Sequence, residues 1–150
     1  MKKLPTLLMV LVLVIAGGFA QEKKASREVV TPKDTPQSNL PSSPAIKAGG
    51  FVFASGQIAI DPATGKMVEG DIKAQTARVL KNISAVLAAA GTSMDRAVKV
   101  TVFLKNMSDF PAMNEVYVKF FPNAPPARST VQVAGLVRDA LIEIDIVALQ

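Results

Sequence analysis

The sequence has no Cys, no His and no Trp, and only one Tyr among its 150 residues. Without Cys and His there is no Ser-His-Asp triad, no Cys-His pair, no thiolate zinc site and no structural disulfide. If the protein is an enzyme, proton transfer falls to Asp, Glu, Lys, Tyr, backbone groups or water. Excess charge is also missing where it would point to a partner. The formal charge is +5, yet residues 51–150 hold ten basic side chains against nine acidic ones, and no stretch there interleaves Lys and Arg with aromatics. The electrostatic footprint of a nucleic-acid binder is absent, so no nucleic-acid partner is expected.

At the start of the chain, Lys2 and Lys3 precede an apolar run from Leu7 to Ala16 and then Gly17-Gly18-Phe19-Ala20. This is the layout of a signal peptide, and the run falls short of the roughly 20 apolar residues that span a bilayer. Residues 1–20 are therefore expected to be removed after Ala20. The mature chain would be periplasmic or secreted, free of the membrane, and without Cys it is indifferent to an oxidising compartment. Residues 21–44 read as an irregular lead-in, because Pro32, Pro36, Pro41 and Pro44 deny it a regular ladder or helix. Its apolar pair Val29-Val30 offers one short edge strand. Residues 45–150 then suit a single domain.

Within that domain, two strand-like pieces, Ala45 to Lys47 and Phe51 to Ser55, flank Ala48-Gly49-Gly50, which reads as a hairpin turn. A second turn is expected at Asp61-Pro62-Ala63-Thr64-Gly65. Ile72, Thr76, Val79, Leu80, Ile83, Leu87 and Ala90 recur at steps of three and four, predicting a helix over Asp71 to Ala90 with Asp71 as N-cap and Gly91 just past the end. Val98 to Leu104, rich in β-branched residues, reads as a strand. A second helix is expected from Asp109 to Phe120 with Ser108 as cap, and Pro122 ends it. Ser129 to Ala134 and Leu141 to Ala148 read as closing strands. The order β-β-α-β-α-β-β predicts an α+β fold, one mixed sheet with both helices packed on one face. The other face then needs a cover, which predicts oligomerisation through the sheet.

Two ionisable residues stand out. Pro125-Pro126 delivers Arg128 to the start of a strand, where its planar fork suits a carboxylate, although the spacing equally fits an ordinary solvated or ion-paired Arg. Glu143 lies among apolar neighbours in the last strand. It fits either an outward polar position or a partly desolvated carboxyl able to shuttle a proton. Asn114 and Tyr117 fall on the second helix, where a Tyr is usually core, and Ser55-Gly56-Gln57 follows a strand as a turn would.

Taken together, Phe51-Val52-Phe53-Ala54-Ser55-Gly56-Gln57, Asp61 to Gly65, Gln75-Thr76 with Asn82-Ile83, Leu87 to Gly91, Asp109-Phe110 with Asn114 and Tyr117, Pro126 to Val131, and Glu143-Ile144-Asp145 resemble the RidA/YjgF family of reactive-intermediate deaminases in order and spacing. The resemblance covers about residues 27–149. It implies a chorismate-mutase-like fold and a homotrimer with clefts between subunits. The implied reaction is cofactor-independent hydrolysis of enamine/imine intermediates such as 2-aminoacrylate, a 2-imino acid precursor, to 2-keto acids and ammonia. It further implies that Arg128 binds the substrate carboxylate, that the Thr130 backbone carbonyl and Glu143 hold the attacking water, and that Asn114, Ser55 and Ser42 line the pocket. Ser42 stands where the family commonly has Tyr, and Val137 where it usually has Pro. The alternative is a non-catalytic protein that binds small carboxylates or keto acids in the same clefts.

Overall fold

The apolar stripe of the long central helix dictates the packing. In the computed structural model, which describes residues 26–33 and 41–150, α1 spans Ile72–Ala89. Its Ile72, Val79, Leu80, Ile83, Val86 and Leu87 are buried. Asp71 caps it as expected, its carboxylate accepting from the Ala74 amide at 3.0 Å, and Gly91 follows with a φ of 78°, a conformation glycine adopts without a Cβ penalty.

Six strands form one sheet: β1 (Glu28–Val30), β2 (Ala45–Ala48), β3 (Phe51–Gln57), β4 (Ala97–Leu104), β5 (Ala127–Gln132) and β6 (Ile142–Leu149). The spatial order is β1-β2-β3-β6-β4-β5, antiparallel throughout except for the parallel pair β4–β5. Parallel neighbours need a crossover, and α2 (Phe110–Tyr117) provides it. The predicted hairpin and edge strand are both present, with Gly49 and Gly50 at positive φ between β2 and β3. The fold is thus the expected α+β arrangement, a mixed sheet with α1 and α2 on one face.

Two local details differ from expectation. Ser108 does not cap α2. Residues Met107–Asp109 form a 3-10 turn leading into the helix, and Pro111 in its first turn needs no capping partner because it has no N–H. The helix itself ends at Tyr117, and Val118–Phe120 tighten into a further 3-10 turn before Pro122. Ser55-Gly56-Gln57 is not a turn after β3 but part of it. The pairing passes from Ala54 opposite Ile146 to Gln57 opposite Ile144, so Ser55 and Gly56 together oppose Asp145 alone, which is a β-bulge.

Along β6 the residues Ile142, Ile144, Ile146 and Ala148 are buried under the helices, and so are Val100, Val102 and Leu104 of β4. The alternate residues face away. Among the described residues no helix covers that second face, and Phe51, Phe53, Val131 and Leu149 lie exposed on it. The expected signal peptide, residues 1–20, lies outside the described residues, as does part of the lead-in. No described helix is long and apolar enough to cross a membrane.

Candidate functional site

Pro125-Pro126 and the start of β5 bring Arg128 against α2. Phe110 and Tyr117 are seven residues apart, about two turns, and so lie on one face of that helix. The guanidinium carbon of Arg128 stands 4.5 Å from the Tyr117 ring centroid and 5.5 Å from that of Phe110. Cation–π contact of this kind holds the guanidinium flat and limits its rotamers. The Tyr117 ring is fixed in turn by Phe121, the two centroids lying 4.6 Å apart.

Beside this stack opens a cleft of about 520 Å³, lined by Asn114, Tyr117, Val118, Phe121, Pro125, Pro126 and Arg128. Asn114 and Tyr117 come from the last turn of α2, and Val118 and Phe121 from the 3-10 turn that follows and its end. The volume suits a small organic ligand, and one cation with a planar fork faces it. Thr130 lies two residues beyond Arg128 and on the same side of β5, since Arg128 pairs with Val100 and Thr130 with Val102. The Tyr117 hydroxyl and the Thr130 Oγ1 are the buried side-chain oxygens without a hydrogen-bond partner among the described residues.

Glu143 is elsewhere. It pairs with Phe103 on β4, whereas Arg128 pairs with Val100, an odd step along the strand that puts the two side chains on opposite faces of the sheet. Two strand spacings of about 4.8 Å and three residues of about 3.3 Å also separate their backbones. The surroundings of Glu143 are built by the β3 bulge. A Cβ at Gly56 would collide with the Glu143 carboxyl, so the glycine leaves the space that carboxyl occupies. Burial raises the Glu143 pKa above its ordinary 4.5, and the charge of Asp145 two residues on raises it further.

α1 fixes this second group of residues with two buried or half-buried amides. Gln75 accepts from the Leu141 amide at 2.9 Å, two residues before Glu143. The Asn82 side chain donates to the carbonyls of Ile58 and Ile60, just past the bulge. Ser55 donates its hydroxyl to the Ser43 carbonyl at 2.7 Å, which ties it to the start of β2 and away from the Arg128 cleft. Ser42 is exposed in the same stretch.

Of the six site residues expected from sequence, one chain therefore brings Arg128, Asn114 and Thr130 to one side of the sheet, and Glu143, Ser55 and Ser42 do not join them. Sequence reasoning passed over Tyr117, taken for core, and Gly56, taken for a turn. The one available signal was that the chain's single Tyr lies three residues from Asn114 in a protein with seven Phe, where a Phe would pack as well.

Comparison with known proteins agrees with this architecture. A RutC family protein of Pyrococcus horikoshii is 52% identical over 122 residues, 81% of this chain and 97% of that protein. The chloroplastic Reactive Intermediate Deaminase A of Arabidopsis thaliana is 44% identical over 122 residues, 81% of this chain and 65% of that protein. The crystal structure of E. coli TdcF with bound serine superposes with a TM-score of 0.77 at 36% identity, covering 82% of this chain and 98% of that one. With residues 32–150 matching the family described as Endoribonuclease L-PSP, the chain belongs to that family, the one that includes the RutC and RidA proteins.

Proposed function

We propose that this protein is a cofactor-independent hydrolase of enamine/imine intermediates, converting small 2-imino acids to 2-keto acids and ammonia. The observation that carries this reading is Arg128, held flat against Tyr117 and Phe110 and facing a cleft sized for a small carboxylate. Two relatives support the choice of ligand: one is named a reactive intermediate deaminase, and another was crystallised with serine, an α-amino carboxylate. RNA is not the ligand proposed, because residues 51–150 are almost balanced in charge.

In this mechanism the Arg128 fork binds the substrate carboxylate bidentately and Asn114 lines the pocket. The protonated imine is already electrophilic at C2. Water attacks that carbon while its proton passes to the Glu143 carboxylate, giving a carbinolamine. Glu143 returns that proton to the amine and then takes the hydroxyl proton as the C–N bond breaks with its electron pair on nitrogen; the keto acid leaves, and the last proton passes from Glu143 to the departing ammonia. Orientation and a positioned water are most of what such a reaction needs. The Thr130 carbonyl is assigned the second hold on that water.

Because Arg128 and Glu143 occupy opposite faces of one sheet, they act together only between copies. We assign the exposed apolar face to contact within a homotrimer, with Glu143, Ser55 and the bulge of one subunit completing the Arg128 cleft of the next. Ser42, exposed where the family commonly has Tyr, favours a second reading, a carboxylate binder without turnover. Ammonia release from freshly generated 2-imino acids tests both. Turnover that falls at least about 100-fold in Arg128→Ala supports the hydrolase, taking the loss of a charge-assisted bidentate contact as roughly 3 kcal/mol. Arg128-dependent binding with no turnover selects the binder.

A further inference from the structure

The Tyr117 hydroxyl has no part in the mechanism above, and its position is unusual. The residue is 6% exposed, the hydroxyl has no hydrogen-bond partner, and the ring lines the same cleft as Arg128. A buried polar atom left unpaired destabilises the folded protein. A Phe at this position would keep the packing on Phe121 and the contact with Arg128 while removing that penalty. The Tyr117 ring is also held in place, with the Arg128 guanidinium carbon 4.5 Å and the Phe121 centroid 4.6 Å from its centroid. Arg128 offers only donors, so the phenol proton is free for an acceptor brought in from outside. Burial raises the Tyr117 pKa above its ordinary 10, more than Arg128 lowers it through its charge and its N–H groups near the phenol oxygen, and the group stays a donor at neutral pH.

A ligand whose carboxylate rests on the Arg128 fork has the group on its C2 one bond from the carboxylate carbon, inside the cleft that Tyr117 also lines. We propose that Tyr117 is a specificity-determining residue whose hydroxyl donates to the C2 nitrogen or oxygen of the bound ligand, so that the cleft selects 2-imino and 2-oxo acids over plain carboxylates. This rests on the reading of Arg128 as the carboxylate anchor. Sites built to pair a ligand's polar group reject the analogue that lacks it, because the protein group is then left unpaired.

Calorimetric titration of the full chain with 2-oxobutanoate and with butanoate tests the inference in wild type, Tyr117→Phe and Arg128→Ala. Wild type is expected to bind 2-oxobutanoate about tenfold more tightly than butanoate, a typical effect of one hydrogen bond to an otherwise unpaired group. Tyr117→Phe is expected to erase that preference by weakening 2-oxobutanoate alone, and Arg128→Ala to weaken both probes. The ligand-free Tyr117→Phe protein is expected to melt about 2–4 °C higher, because the unpaired hydroxyl is gone. A residue with a purely structural role would not trade affinity for stability in this way. If Tyr117→Phe keeps the preference, or melts lower than wild type, the inference is overturned while the Arg128 anchor stands. If wild type binds neither probe, or Arg128→Ala binds as wild type does, the carboxylate-site reading fails and the inference with it.

Discussion

On β6, Ile142, Ile144 and Ile146 face the helices and are buried, while Glu143, Asp145 and Val147 of the same strand face a side that no described helix covers. The first set meets α1 and closes a core that a single chain completes. The second carries Glu143, whose pKa burial raises, on a face where a single chain also leaves Phe51, Phe53, Val131 and Leu149 exposed. One strand thus has two sides by parity alone: even positions close the core under the helices, and odd positions lie on the uncovered face.

Substitutions on the two faces should therefore differ in kind. Ile144→Ala opens a cavity in the closed core and is expected to lower unfolding free energy by about 2–5 kcal/mol, read from urea denaturation. Phe53→Ser on the uncovered face, where the ring is 46% exposed in one chain, is expected to change subunit stability by no more than about 1 kcal/mol. The same substitution should dissociate the proposed trimer in sedimentation velocity. If Phe53→Ser lowered subunit stability as much as Ile144→Ala does, or left assembly unchanged, the division between the faces would be wrong.

A smaller effect sharpens the same contrast through pH. Since the folded state raises the Glu143 pKa, it favours the protonated carboxyl; that stabilisation is complete below the ordinary 4.5 and is lost as pH rises through the folded value. Glu143→Gln never ionises. Its stability relative to wild type should therefore increase as pH is raised from 4 to 7, while Gln at a position on the helix-facing side has no such titration to remove. Thermal melts of both proteins across that range check the sign, and a difference that stays flat would mean that the carboxyl is fully solvated.

Sequence alone carried the closed face well. The three-and-four spacing of α1, its Asp71 cap and Gly91 stop are local signals, and helix formation with burial follows from them. Val29-Val30 was enough for the edge strand. The open face and the site were less legible for a physical reason. Whether Arg128 and Glu143 share a side depends on the register of β5 on β4 and of β4 on β6, and a shift of one residue would reverse the answer. The Ser55–Gly56 bulge was likewise hidden, because Ser-Gly is the composition of a turn until a partner strand shows two residues opposing one. Ser108 before Asp109 looked like a cap, and only the 3-10 turn that consumes both residues removes that role.

The bulge, the glycine and the odd parity of Glu143 have one more consequence. In the proposed trimer, a chain that keeps its arginine on one side and its carboxyl on the other owns two halves of different sites, so damage to one half leaves the other intact. Two inactive proteins, Arg128→Ala and Glu143→Gln, unfolded and reassembled together, should then rescue each other, because some junctions in each mixed ring join an undamaged arginine to an undamaged carboxyl. In genetic terms the lesions are recessive to one another, and the smallest heritable unit of activity is a pair of neighbours.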